Sequence, residues 1–260
     1  PQRRDQPAHG GARAAARRCL VPPRSGDDEA AERVLERRNQ LLERLKVTRD
    51  DPRHLENAVT LAHTRVHLGG VPDAERAPLE ETKTRLQRQG LDELAARASL
   101  VTAFFANTMG EYERTRVGYE EAISHAREAD ATTELMRALL GRGWLKIVRE
   151  NLEGAEPYLI ETRRRSDEAE DRFHTCHCQY QLAWLALFRG QLSRAKQLFE
   201  TVRETSREAG YRVVESNSLN SLGDLARLAG DAERARSYIT ARTDAGYATR
   251  IGPRGWPFRS

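Results

Sequence analysis

A period of 40 residues is the feature that most constrains what this chain can fold into. Turn-forming positions recur at Gly69, Gly110, Glu150, Gly190 and Gly230, and the steps between them are 41, 40, 40 and 40 residues. A fixed period of this length is typical of an array of supersecondary units. Each unit of such an array buries its apolar face only against its neighbours, so the copies are expected to pack in series.

Two positions with small residues follow the same frame, one seven residues before each turn and one five residues after it. They are Ala62, Ala103, Gly143, Ala183 and Gly223 before the turns, and Ala74, Thr115, Ala155, Ala195 and Ala235 after them. A small residue lets the backbone of a second helix approach closely. The pattern therefore predicts, in each copy, a helix, a tight turn and a second helix packed antiparallel to the first.

These positions resemble the tetratricopeptide repeat, in which a small residue on the first helix meets an alanine on the second. In that family an aromatic residue packs beneath, as Tyr119, Tyr158 and Tyr238 would here. The usual unit has about 34 residues and ends in a proline. The longer unit and the missing proline are similar to a variant found in bacterial signalling proteins. The resemblance implies an all-α, right-handed α-α superhelical solenoid of about five helix hairpins.

The frame divides the chain into a tail, a leading helix, five copies and a second tail. We expect a disordered basic tail or linker at 1–26, a helix of a truncated preceding repeat at 27–50, an array at 51–250 with copies 51–90, 91–130, 131–170, 171–210 and 211–250, and an irregular tail at 251–260. Gly90, Asp130 and Gly210 suit the left-handed residue that ends a helix. Where Glu170 and Glu150 occupy such positions, we expect the adjacent Asp171 and Asn151 to adopt that conformation.

Charge gives no support for binding nucleic acid. The chain has a net charge of +4, but residues 1–26 alone carry six arginines and one aspartate, or +5, which leaves −1 for the rest. The basic character therefore belongs to the tail and not to a face of the array.

The sequence also indicates a cytoplasmic protein that does not enter a membrane. Its longest apolar run, 182–188, is far shorter than the roughly 20 residues that span a bilayer. Of the three cysteines, Cys176 and Cys178 are two apart on a predicted helix, so their side chains diverge and cannot form a disulfide. Cysteines that do not form a disulfide are typical of proteins in a reducing compartment such as the cytoplasm.

The resemblance places the first helix of each copy on the inside of the superhelix and so predicts a groove that binds a protein or peptide. Its lining is predicted to be Phe104, Leu140, Trp144, Ile147, Tyr180, Trp184, Asn220, Asp224 and Arg227. One interpretation is that Phe104, Trp144 and Trp184 anchor the helix or extended peptide of a partner, because buried aromatics dominate binding energy. The other is that these rings only pack between neighbouring first helices.

One segment invites a metal interpretation. His174, His177 and Cys178 share a helical face at spacings that can offer three zinc ligands. No second His/Cys pair supplies a fourth, and a small apolar residue is expected at position 178, so we interpret the segment as structural. Phosphate-binding, kinase and serine-hydrolase motifs are absent. We therefore predict no enzyme activity, no cofactor and no bound metal.

The sequence thus predicts a non-catalytic scaffold for protein–protein interaction. By resemblance it would be the regulatory repeat region of a larger bacterial signalling protein, such as a serine/threonine kinase or an ATPase-type transcription regulator. A groove that senses a small molecule or a peptide is the alternative, and a purely structural array is a third. The oligomeric state is left open by the sequence.

Overall fold

Helices make up nearly all of the chain that can be described. The computed structural model describes residues 26–67, 76–149 and 151–244. Within these ranges there are eleven helices and no strand: α1 (Gly26–Arg44), α2 (Pro52–His67), α3 (Arg76–Arg88), α4 (Asp92–Thr108), α5 (Tyr112–Glu128), α6 (Thr132–Val148), α7 (Leu152–Glu168), α8 (Arg172–Phe188), α9 (Leu192–Glu208), α10 (Arg212–Leu228) and α11 (Ala232–Asp244). The tails expected at 1–26 and 251–260, apart from Gly26, lie outside the described residues, as do the frame positions Gly69, Ala74 and Glu150.

The helix bounds follow the 40-residue frame. The first helices of the five copies begin at Pro52, Asp92, Thr132, Arg172 and Arg212, each 40 residues after the last. The second helices of copies two to five begin at Tyr112, Leu152, Leu192 and Ala232, again in steps of 40. In copy one the described part of the second helix, α3, begins at Arg76, directly after residues that lie outside the described ranges. The all-α helical-repeat fold class is therefore confirmed.

The chain divides into two compact units, Pro1–Gln181 and Leu182–Ser260, with the boundary inside α8. In the first unit α2 contacts both α3 and α4, and α4 contacts both α5 and α6. In the second unit α10 contacts α9 on one side and α11 on the other. Helices α2, α4 and α10 thus each pack on their hairpin partner and on a helix of a neighbouring copy, as a repeat array requires.

Left-handed residues end the helices where the copies join, with one correction. Gly90, Asp130 and Gly210 have φ values of 65°, 51° and 72°, as predicted. Glu170 itself adopts φ 51°, so the expectation that Asp171 would take this role is wrong. The hairpin spacing decides which residue turns, and the nearby hydrogen bond from Asp171 N to Ser166 O at 2.8 Å holds the turn in place.

The two polar residues expected in left-handed turns instead cap the following helices. Asp171 Oδ1 accepts a hydrogen bond from His174 N at 3.0 Å. Asn151 has φ −92°, and its Oδ1 accepts from Gly154 N at 2.9 Å, so the left-handed conformation expected for Asn151 is also wrong. Short polar side chains at this position satisfy helix N–H groups that have no partner within the helix.

Candidate functional site

Five of the predicted groove residues lie in the first unit, and four of these are buried. Leu140, Trp144, Ile147 and Tyr180 are 0 to 5% exposed, whereas Phe104 is half-buried beside a cluster that includes Phe105. A side chain with so little accessible surface contributes to the core of the array and offers a partner almost no area. Their burial favours the packing interpretation of these four, and leaves Phe104 as the one predicted anchor with accessible surface.

In the second unit the predicted aromatic anchor is also buried. Trp184 is 1% exposed, and its ring centroid lies 5.8 Å from that of Phe199 in an edge-to-face arrangement. A second ring, Phe188, lies 5.9 Å away. The edge-to-face pair with Phe199 stabilises the core beyond the area it buries. Trp184 therefore holds α8 to α9 within this unit.

The predicted polar residues of the second unit form an accessible row on α10. Asn220 and Asp224 are half-buried, and Arg227 is exposed. Arg242 Nη1 donates to Asn220 Oδ1 at 2.6 Å, and Arg227 Nη2 donates to Asp224 Oδ1 at 2.6 Å. These side chains are held in place by the two hydrogen bonds, and they are accessible enough to form further hydrogen bonds with a partner. We call these three residues the α10 polar row.

The segment that resembled a metal site makes other contacts. His174 Nδ1 lies 2.7 Å from Asp171 Oδ2, and the Cys178 thiol donates to the Leu159 carbonyl oxygen at 3.2 Å. Burial raises the pKa of the Cys178 thiol to about 12, and that of Cys176 to about 11. A metal ligand must be a thiolate, so burial opposes ligation by either cysteine. Both cysteines pack in the core of α8.

His177, in the same segment, is expected to make the free energy of unfolding depend on pH. Burial, helped by the charges of His174 and Arg137, lowers the pKa of His177 from about 6.5 to about 4. Between these values the unfolded chain binds a proton that the folded chain does not. This contribution to stability is therefore fully present above pH 6.5 and is lost as the pH falls to about 4. Part of the side chain still meets water, so the loss is smaller than for a fully enclosed imidazole.

Urea unfolding of wild type and His177→Gln at pH 7.5 and pH 4.5 measures this effect. Carboxylates also lose stability in acid, so the informative quantity is the difference between the two proteins. We expect the wild type to lose more stability than the variant. Equal losses in the two proteins would show that His177 does not titrate in this range.

A half-open cavity of about 670 Å³ lies among α3, α4 and α5, and seven of its fourteen lining residues are charged. Leu79, Phe105 and Val117 are among the apolar side chains that line it. At its edge the Arg76 guanidinium donates to Glu111 at 3.0 Å. Volumes of this size can enclose a small molecule. The sequence analysis missed the cavity because its lining comes from three helices of two neighbouring copies and follows no periodic pattern.

The fold defines a helical-repeat protein, and comparison with known proteins supports that class. None of the described helices is long and apolar enough to cross a bilayer. No family model matches the chain, and no curated protein matches it. Among solved structures it is similar to BtubC (BKLC) from P. vanneervenii, with 17% identity and a TM-score of 0.63 over 91% of this chain and 97% of that one. At this identity the likeness shows a shared fold alone.

Proposed function

We propose that the chain is an array of tetratricopeptide type that acts as a non-catalytic scaffold for protein–protein interaction. In this proposal it is the regulatory repeat region of a larger bacterial signalling protein, such as a serine/threonine kinase or an ATPase-type transcription regulator, and it works in the cytoplasm. The observation that carries the proposal is the series of hairpins with a common spacing. Such arrays present extended surfaces to partners.

The solvent exposure of the predicted groove residues limits which of them a partner could contact. Leu140, Trp144, Tyr180 and Trp184 are buried and offer a partner almost no area. The contacts themselves would fall on residues that reach water, which are Phe104 in the first unit and the α10 polar row in the second. Half-buried aromatics are frequent anchors of interfaces, and a rim of polar residues sets specificity.

The test compares the capture of proteins from a bacterial lysate by the wild type and by two variants. One variant changes the α10 polar row to alanine, and the other is Phe104→Ala. The control is Glu233→Ala with Arg236→Ala, which removes one acid and one base from exposed positions on α11, as the row variant does on α10. We expect each variant to lose proteins that the wild type and the control hold, with helical content unchanged. The same captured proteins in all four samples would contradict the proposed surface.

The cavity among α3, α4 and α5 supports a second candidate function, the sensing of a small apolar molecule. Its test is the thermal stability of the chain with a protein-free cell extract. Val117→Trp is the blocking variant, because Val117 lines the cavity and is 42% exposed, so a larger ring can enter the cavity. We expect the extract to raise the melting temperature of the wild type but not of Val117→Trp. An extract without effect on the wild type would remove this candidate.

A further inference from the structure

Three side chains that commonly bind metals meet where α4 begins and α5 ends. Asp92 lies in the first turn of α4, and His125 and Glu128 lie in the last turn of α5. One ligand atom from each residue lies within 4.8 Å of the other two. His125 Nδ1 is 3.3 Å from Asp92 Oδ1 and 3.8 Å from Glu128 Oε2. The sequence analysis missed the group because 33 residues separate Asp92 from His125.

The spacing suits two ligands of one ion better than a strong hydrogen bond. Zinc binds nitrogen and oxygen ligands at about 2.0–2.1 Å, which places two ligand atoms of a tetrahedral ion about 3.3 Å apart. The distance from His125 Nδ1 to Asp92 Oδ1 has this value. The other described His–Asp contact of this kind, from His174 Nδ1 to Asp171 Oδ2, is 2.7 Å, as a charge-assisted hydrogen bond should be. Glu128 must move by about half an ångström toward His125 Nδ1 to match this spacing, and its side chain, which accepts a hydrogen bond from Ser124 at 3.2 Å, is 60% exposed.

A residue on a third helix orients the ring. The side-chain nitrogen of Gln87, in α3, lies 3.0 Å from His125 Nε2, and half a turn of the amide about its Cγ–Cδ bond brings the amide oxygen to the same place. An amide that turns its oxygen to the ring accepts the Nε2–H and so leaves the Nδ1 lone pair facing the two carboxylates. Histidine ligands of metals usually donate their second ring N–H to such a partner.

The 40-residue frame does not require this group. The positions 40 residues after Asp92 and His125 hold Thr132 and Arg165, which have no metal-binding chemistry. Arg165 instead donates to Glu161 at 3.0 Å. The group is therefore particular to the second copy and does not belong to the repeated core.

The site is accessible and carries the charge that a cation would offset. The side chains of Asp92 and His125 are 30% and 15% exposed, so an ion can enter from solvent. The two carboxylates of Asp92 and Glu128 supply negative charge beside the ring. We propose that Asp92, His125 and Glu128 bind one divalent transition-metal ion of the zinc class, oriented by Gln87 and with one coordination position left for water. This inference is independent of the proposed function.

Calorimetric titration of zinc ion alone into the full chain, first treated with a chelator, tests the site. We expect one ion per chain, and binding that is at least about tenfold weaker in His125→Ala and about tenfold weaker in Gln87→Ala. The control is His63→Ala, which removes an exposed histidine on α2 and should leave the affinity unchanged. Cobalt(II) should give the strong visible absorption of a tetrahedral ion in the wild type only.

Two outcomes would overturn the proposal. One is no heat of binding in the wild type at millimolar zinc. The other is wild-type stoichiometry and affinity in a variant that lacks a ligand. Should His125→Ala not fold by circular dichroism, Asp92→Asn and Glu128→Gln replace it, because both keep the side-chain volume while removing the charged ligand. Loss of affinity in these two supports the site, and unchanged affinity in both overturns it.

Discussion

Replacing Trp184 with alanine is expected to destabilise the second unit by about 3–5 kcal/mol, the range for removing a large buried aromatic side chain. The ring is 1% exposed and lies against Phe199 and Phe188, so its removal leaves a cavity that rigid helices cannot close. Urea unfolding followed by the helical circular dichroism signal measures the loss, because the substitution itself removes a fluorescent reporter.

Leu192→Ala is the matched control for Trp184→Ala. Leu192 lies in the same unit at the start of α9 and is 55% exposed. Its truncation should change the free energy of unfolding by less than about 0.5 kcal/mol, as at most surface sites. Equal effects of the two substitutions would show that Trp184 is not part of a packed core, and would restore its interpretation as a binding anchor.

Gly118→Ala is expected to destabilise the first unit by about 1–2 kcal/mol, although alanine is the better helix former. The added Cβ would lie 2.9 Å from Ala103 Cβ and 3.0 Å from Ala103 Cα, so α4 and α5 must move apart. Overpacking of this kind costs about 1–3 kcal/mol. Removing a glycine from a helix interior returns about 0.5–1 kcal/mol, which offsets only part of that cost.

Gly223→Ala separates the cost of overpacking from helix propensity. At Gly223 the nearest atoms to an added Cβ are Tyr238 Cβ at 3.8 Å and the Ala235 carbonyl oxygen at 3.9 Å, which are ordinary contacts. Only the propensity effect remains, so this variant should be more stable than the wild type by about 0.5–1 kcal/mol. Thermal or urea unfolding of the two variants side by side should give opposite signs. The same sign for both would mean that the close approach of α4 and α5 is not what requires Gly118.

The contacts of Gly223 also show how much of the fold the sequence could predict. Its small size and its spacing to Ala235 indicated a close pair of helices, and these two residues are near neighbours in the structure. Gly143 likewise lies against Tyr158, another residue of the frame. Such contacts join neighbouring helices a fixed number of residues apart, so a period in the sequence is enough to predict them.

The candidate site was harder to predict. The 40-residue period placed Trp144, Trp184 and Phe104 on first helices. It did not show whether their side chains face solvent or pack against another helix. The three rings occupy the same position of the repeat, yet Phe104 is half-buried and the two tryptophans are buried, because burial depends on the side chains of neighbouring helices. The pairing of Asp92 with His125 was likewise invisible, because it joins residues at opposite ends of two helices. Which side chains are exposed, and which distant side chains meet, depends on how the helices pack. A local sequence pattern does not contain this information.

The sequence by itself determined the all-α class, the 40-residue spacing of the helices and the left-handed glycines between copies, since each depends on local backbone preferences and on a repeated pattern. Only the tertiary structure decided which aromatic rings are buried. It also explains why position 141 requires glycine. A Cβ at Gly141 would overlap the ring of Tyr119, which reaches it from the preceding helix. These outcomes depend on close packing between helices, where steric exclusion overrides the preference of a single residue.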